Sequence, residues 1–255
     1  MSEQIEKEQI DTKIEKDKIY NCDCLEGMKH IPNASIDAII CDLPYGTTRN
    51  AWDSVIPLDA LWAEYKRIAK PNAAIVLFAQ TPFDKVLGCS NLEMLKYEWI
   101  WQKTRATGHL NAKKMPMKVH ENILVFYKEL PTYNPQFTKG DPYISKCDGH
   151  SSNYGYQAGA VIVNEGIRYP QDIIEYTSEM DGFHPTQKPV DLLRYLIRTY
   201  SNEGDTVLDN CMGSGTTAVA CIKEKRHFIG FELNKDYFDK ACRRIDAERR
   251  QLSLF

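Results

Sequence analysis

Two short stretches of the chain combine residue types that could do chemistry. In Asp42-Leu43-Pro44-Tyr45-Gly46 an acid, a restrained turn and an aromatic ring follow one another directly. Pro44 pushes Leu43 into an extended conformation, which fixes the direction of the Leu43 carbonyl beside the Asp42 carboxylate. Two acceptors side by side suit the two hydrogens of an exocyclic amine, and Tyr45 offers a flat face on which a base can stack. That combination could hold a flipped nucleobase by its amino group. Read as a plain strand-end turn, the same residues need no ligand.

The second stretch is Asp209-Asn210-Cys211-Met212-Gly213-Ser214-Gly215-Thr216-Thr217-Ala218. A strand entering a tight glycine turn and then a helix lets a ligand approach the backbone closely. Glu232, nineteen positions after Gly213, ends the next predicted strand, where its carboxylate can accept two hydrogen bonds from a ribose diol. Gly213-x-Gly215-x-x-Ala218 satisfies the loose dinucleotide fingerprint, so NAD stays open at this point. A phosphate-binding P-loop fails because no Gly-Lys-Ser/Thr follows, and a glycine turn without a ligand is the third reading.

The elements that must position these residues repeat one grammar: apolar strand, polar turn, amphipathic stretch. Strands are predicted at Ile19–Cys22, Asp37–Asp42, Ala73–Ala79, Tyr97–Lys103, Asn122–Lys128, Asp205–Asp209 and His227–Glu232. Leu58, Leu61, Trp62, Tyr65 and Ile68 have helical spacing, and a further helix starts near Thr216. Near-continuous apolar strands alternating with helices predict a mostly parallel α/β sheet covered on both faces. Ligands of such a sheet bind at the carboxyl ends of the strands. Residues 129–182 break the grammar with four prolines and many tyrosines, and predict an irregular insert of the kind that carries specificity.

Composition is ordinary for a folded protein, with 43% hydrophobic and 26% charged residues, which excludes wholesale disorder. The longest apolar run, Ala73–Ala79, is too short to cross a bilayer, and the first eighteen residues, six acidic and four basic, predict a solvated tail or frayed helix rather than a secretory signal. Eight scattered cysteines predict buried free thiols and no metal site, in a cytoplasmic protein. The net charge of −3 speaks against a nucleic-acid partner only as an average. Residues 102–120 carry Lys103, Arg105, Lys113, Lys114 and Lys118 with no acid, leaving −8 for the rest of the chain. They predict a basic loop over 104–121 whose cations meet phosphates. The insert, with eight acids and three bases, suits base reading more, with Arg168 and Lys146 as its candidate contacts.

Taken together, the motifs resemble the S-adenosylmethionine-dependent DNA methyltransferases that act on exocyclic amines, in the permuted beta class. That class places its D-P-P-Y motif before the target-recognition region and its F-x-G-x-G motif after it, the order of Asp42–Tyr45 and Met212–Gly215 here. Asn21-Cys-Asp23-Cys-Leu-Glu26 resembles the G-D-x-L-E segment whose acid meets the cofactor's adenine. Phe183-His-Pro-Thr-Gln-Lys-Pro189 resembles the H-P-T-x-K-P segment bordering the methionine moiety. Residues 19–53 and 183–244 carry the resemblance well and 119–128 more loosely. Leu43 stands where the family has its first proline, and Asn210–Met212 depart from the family's P-F.

The resemblance implies a circularly permuted, seven-stranded Rossmann-like methyltransferase sheet, with a catalytic half at 19–128, a target-recognition insert at 129–182 and a cofactor-binding half at 183–255. It implies catalysis by Asp42, Leu43, Pro44 and Tyr45, and S-adenosylmethionine held by Asp23, Asp42, His184, Thr186, Lys188, Asp209, Met212, Gly213, Gly215, Thr216 and Glu232. It also implies double-stranded DNA as partner, a bacterial or phage origin, and a homodimer and a cognate restriction endonuclease as further partners. Asp at the first motif position resembles adenine-N6 enzymes, whereas cytosine-N4 enzymes more often have Ser, and the Pro-Cys of cytosine-C5 chemistry is absent. RNA or protein amides as substrates, an NAD-dependent oxidoreductase, and a degenerate DNA-binding subunit are the alternatives. The last typically loses the acid or the glycine turn, and both are intact here.

Overall fold

The computed structural model describes residues 14–46, 54–146, 150–151, 155–156, 161–178 and 187–252. Expectations for His184 and Thr186 fall outside them. Contacts divide the chain into a main unit, 1–134 with 172–255, and a small unit, Pro135–Gln171.

The main unit is built on eight strands: β1 (Lys18–Tyr20), β2 (Ile36–Asp42), β3 (Ala69–Ala79), β4 (Leu95–Thr107), β5 (Lys118–Phe126), and, after the six strands of the small unit, β12 (Ile173–Tyr176), β13 (Thr206–Asp209) and β14 (His227–Phe231). Their order is β1-β14-β13-β2-β3-β5-β4-β12. The pairs from β1 through β3 are parallel, β5 is antiparallel to both β3 and β4, and β12 is parallel to β4. Alternate residues feed opposite faces, as a period of two requires. Ile39, Cys41, Ile75 and Leu77 pack on one side with Leu61, Trp62 and Tyr65 of α2 (Leu58–Ile68). Ile40, Val76 and Phe78 pack on the other with Leu192, Leu196 and Ile197 of α4 (Val190–Tyr200). Strands buried on both faces explain the unbroken apolar runs. The remaining helices are α1 (Cys24–Met28), α3 (Phe83–Cys89), α5 (Thr216–Lys223) and α6 (Lys235–Leu252).

Four details differ from the sequence reading. The sheet has an eighth strand, because residues 173–176 leave the irregular stretch and pair with β4, where Trp101 Nε1 donates to the Tyr176 carbonyl at 2.9 Å. The small unit is correspondingly narrower than 129–182. Both flanks of the expected basic loop are strand, since β4 and β5 stay paired out to Thr107 and Lys118 and leave 108–117 to turn the corner. The tail joins the body by Ile14, which is buried, and Asp17, whose Oδ2 lies 2.7 Å from His227 Nδ1. The described cysteines are all free, but Cys89 is exposed rather than buried.

The small unit holds three two-stranded antiparallel ribbons: β6 (Thr138–Lys139) with β11 (Ile167–Arg168), β7 (Tyr143–Lys146) with β10 (Val161–Asn164), and β8 (His150–Ser151) with β9 (Gly155–Tyr156). Arg168 braces it: its guanidinium donates to Asn164 Oδ1 and the Asp141 carbonyl and stacks 4.8 Å from the Tyr143 ring centroid.

Candidate active site

Adjacent parallel strands β2 and β13 end in acids, Asp42 and Asp209. The connections leave this pair in opposite directions, to β3 on one side and β14 on the other. Such a switch point opens a crevice at the carboxyl edge, where open α/β sheets bind ligands.

Asp209 is buried and spends both oxygens on the turn that follows. Oδ1 accepts from the Cys211 amide at 3.0 Å and Oδ2 from the Thr217 hydroxyl at 2.6 Å. Burial pushes its carboxyl up to about 6, against those two donors. The turn itself has Gly213 at φ +54° and Gly215 at φ +79°, both left-handed, a region costly for a residue with a Cβ. At Gly213 a Cβ would meet only the Cys211 carbonyl, at 3.9 Å, so the space beside Gly213 is open; at Gly215 it would press on Ala241 at 3.2 Å. Glu232 closes the turn from the end of β14, where Oε2 accepts from the Gly213 amide at 2.8 Å and Oε1 from the Asn234 amide at 2.7 Å. Each oxygen keeps a second lone pair for a ligand, and burial raises the carboxyl. Asn21 latches β1 to this corner through the carbonyls of Glu232 and Leu233. Asp23 caps α1 through Oδ1, to the amides of Leu25 and Glu26.

Not every expected cofactor residue lines the turn. Met212 is buried, and a Cβ on Gly230 would lie 2.2 Å from its Cε, so Met212 packs the turn onto β14. Thr216 is also buried and accepts from Arg244 at 3.0 Å.

At the other strand end, Asp42 Oδ1 accepts from the Tyr45 hydroxyl at 2.7 Å. The half-buried Tyr45 ring stacks on Phe83 with centroids 5.4 Å apart. The partner of Asp42 Oδ2 is Lys188, 146 positions later. Lys188 also lies 3.3 Å from Glu121 Oε2, while Glu121 Oε1 accepts from Lys103 at 2.5 Å. Burial raises the Asp42 carboxyl and Glu121 adds to this, against the Lys188 ammonium and the Tyr45 hydroxyl. Burial opposes the Lys188 charge, but Asp42 and Glu121 outweigh it and hold the amine above its ordinary value. Glu121 falls below the usual carboxylate range despite burial, because Lys188 and Lys103 flank it.

Lys188, expected beside the cofactor, is thus seated on Asp42. Lys103, expected on phosphates, is a correction: its side chain is 8% exposed, bound to Glu121, and its ammonium lies 5.0 Å from the Trp101 ring centroid. Arg168, half-buried, has its guanidinium engaged within the small unit by Asn164 and the Asp141 carbonyl. Arg105, Lys113, Lys114 and Lys118 are exposed, with Lys118 donating to Gln80 at 2.9 Å. Glu121 escaped the sequence reading, though an acid ahead of the apolar run Ile123–Phe126 was a visible signal. Among the described residues no cluster of His, Cys, Asp and Glu is placed to hold a metal ion, and no helix is long and apolar enough to cross a membrane.

A mixed sheet with an acid-and-tyrosine turn on one strand end and a glycine turn on its neighbour defines a class, and comparison with known proteins agrees. The chain belongs to the N6/N4 family described as DNA methylase, whose model matches residues 36–243; it is a DNA methyltransferase. It is 31% identical to the DNA adenine methyltransferase YhdJ of Escherichia coli over 90% of this chain and 82% of that one. The crystal structure of an M1.HpyAVI–SAM complex is similar at TM-score 0.62 and 27% identity, covering 90% of this chain and 98% of the other. The cytosine-N4-specific PvuII DNA methyltransferase shares the fold at TM-score 0.67 and 14% identity, with 93% of each chain covered.

Proposed function

We propose that the chain transfers the methyl group of S-adenosylmethionine to the exocyclic N6 of adenine in double-stranded DNA, with the base turned out of the helix. The observation that carries this reading is the Asp42 carboxyl, paired at a strand end with the Lys188 ammonium and oriented by Tyr45. The glycine turn fits the cofactor: the space beside Gly213 is open, and Glu232 keeps lone pairs for a ribose. Asp23, Asp209, Gly213, Gly215 and Glu232 would hold it. When bound, S-adenosylmethionine supplies an electrophilic methyl group on a sulfonium.

An arylamine is a poor nucleophile because its lone pair is delocalised into the ring. By accepting its hydrogens, Asp42 and the Leu43 carbonyl favour the pyramidal amine whose lone pair can attack. The same acceptors stabilise the positive charge that the nitrogen gains as its bond to carbon forms and the carbon–sulfur bond breaks. Alignment of the three reacting atoms supplies much of the remaining rate. The nitrogen then sheds one proton, which Asp42 is placed to receive. Lys113 and Lys114 contact phosphates and the small unit reads bases in this proposal, and the reaction takes place in the cytoplasm. A homodimer and a cognate restriction endonuclease belong to the same proposal.

The base is argued from the Asp at position 42 and from the adenine enzyme among the relatives, because the fold is shared with a cytosine-N4 enzyme. The test is expression in a methylation-free bacterial host, followed by modification-sensitive sequencing of genomic DNA. N6-methyladenine within one motif is the expected result; N4-methylcytosine would replace the base assignment.

A further inference from the structure

The four side chains behind Tyr45 form a line of alternating charge: Asp42, Lys188, Glu121, Lys103. Lys188, Glu121 and Lys103 are each 8% exposed, and Asp42 alone, at 29%, keeps a face toward solvent. The line sums to zero charge, which is what allows four ionised groups to share a dry region.

One position along it is unfinished. Glu121 Oε2 is buried, and among the described residues the Lys188 ammonium, 3.3 Å away, meets it as a long, poorly aligned ion pair rather than a well-formed hydrogen bond. A buried carboxylate oxygen without a well-formed hydrogen bond is costly. Asp42 has the opposite condition: both oxygens already accept a donor, one from Tyr45 and one from Lys188, before any substrate arrives. The ammonium that favours the Asp42 carboxylate against burial also weakens it as an acceptor, and it repels the positive charge that grows on an attacking amine.

We propose that Glu121 is a positioning residue for methyl transfer, taking the Lys188 ammonium over from Asp42 as the substrate amine binds, so that Asp42 Oδ2 is relieved of a competing cation and accepts an amine hydrogen more strongly. The movement is small, from 3.3 Å to a charge-assisted hydrogen bond of about 2.8 Å. It completes Glu121 as it empties Asp42, so the two carboxylates exchange one donor without changing the net charge. Lys103 pins Glu121 from the far side and supports the acceptor. The inference rests on Asp42 as the amine acceptor, but not on which base carries the amine.

The test is single-turnover transfer of labelled methyl from S-adenosylmethionine to a duplex containing the site found in wild-type genomic DNA. A wild-type chain that methylates no DNA amine sinks the functional reading before any variant is compared, whereas methylation of cytosine corrects the base and leaves Glu121 in its role. Glu121→Gln keeps the shape and removes the charge; it should slow transfer by roughly tenfold or more, the scale of a lost charge-assisted contact. Cofactor and DNA affinities should stay within about twofold, because binding groups are untouched. Glu121→Asp should recover part of the rate.

The pH profile separates this role from plain electrostatics. The charged and titratable groups around Asp42 are Tyr45, Lys188, Glu121, Asp209 and the Cys41 thiol. Removing the Glu121 charge moves the acid limb of the rate to lower pH, so Glu121→Gln should be slow even where Asp42 is fully ionised. In a Lys188→Met background Glu121→Gln should cost nothing further, because no ammonium is left to hold. An unchanged rate in Glu121→Gln, a parallel loss of cofactor affinity, or equal losses with and without Lys188 would each overturn the proposal. Should Lys188→Met fail to fold by thermal melt, the Glu121→Gln and Glu121→Asp pair with the pH limb still decides.

Discussion

Asp42 and Asp209 end neighbouring parallel strands and look alike in the sequence, yet the structure gives them different partners. Asp209 takes its hydrogen bonds from the turn and helix that follow it, from Cys211 and Thr217 at separations of two and eight residues, with the Cys41 thiol beside it. Asp42 has one local partner, Tyr45, and one from 146 positions away. The difference teaches how one sheet edge divides its labour. An acid whose oxygens are used by the turn that follows it is suited to shaping that turn, while an acid held by a distant cation and left partly exposed is suited to meeting a substrate.

Breaking the Asp42 side of the comparison has the largest expected effect. Asp42→Ala should lower the single-turnover rate by roughly a thousandfold or more, as for loss of a charge-stabilising group. Calorimetry should find S-adenosylmethionine affinity changed only a few-fold. Turnover at the wild-type rate would remove Asp42 from catalysis.

Asp209→Ala should do the reverse, with cofactor binding lost and the fold destabilised by roughly 2–4 kcal/mol for two orphaned donors, read from urea melts. Asp209→Asn sharpens the contrast through pH. Burial places the folded-state value at about 6 against an ordinary 3.8. A raised value means that the acid's contribution is complete below about pH 4 and is lost as pH rises through 6. Wild type should therefore lose roughly 3 kcal/mol relative to Asp209→Asn between pH 4 and 7; parallel stability curves would contradict it.

Gly215→Ala tests the turn that Asp209 organises. Its φ of +79° and the 3.2 Å approach to Ala241 predict a loss of about 1–3 kcal/mol, again by denaturant, with weaker cofactor binding. The smallest effect lies at the hairpin tip. Replacing Lys113 and Lys114 by Ala should reduce the slope of log affinity for DNA against log salt by about 2 with transfer at saturating DNA unchanged. The buried Lys103 should not behave this way, and an unaltered slope would remove the tip from the phosphate contacts.

What was legible in the sequence was local. Asp42-Leu-Pro-Tyr45, the glycine turn and Glu232 lie within single strand-turn units, where backbone restraint and carboxylate chemistry can be read directly. The strand runs were equally legible, because residues buried on both faces leave unbroken apolar stretches. The fate of the basic residues at 102–120 was not: Lys103 and Lys113 are ten positions apart in one hairpin, and only pairing of β4 with β5 separates an inward cation from an outward one.

The sequence by itself determined the two strand-end motifs, their order and the sheet that carries them, since each depends on neighbours within a few residues. Only the tertiary structure decided who holds Asp42. Lys188 arrives on the segment leading into α4 and Glu121 on an antiparallel strand, and their meeting depends on crossing the sheet edge rather than on spacing. Buried charges must find partners wherever the fold brings them, and that requirement leaves no periodic trace in the chain.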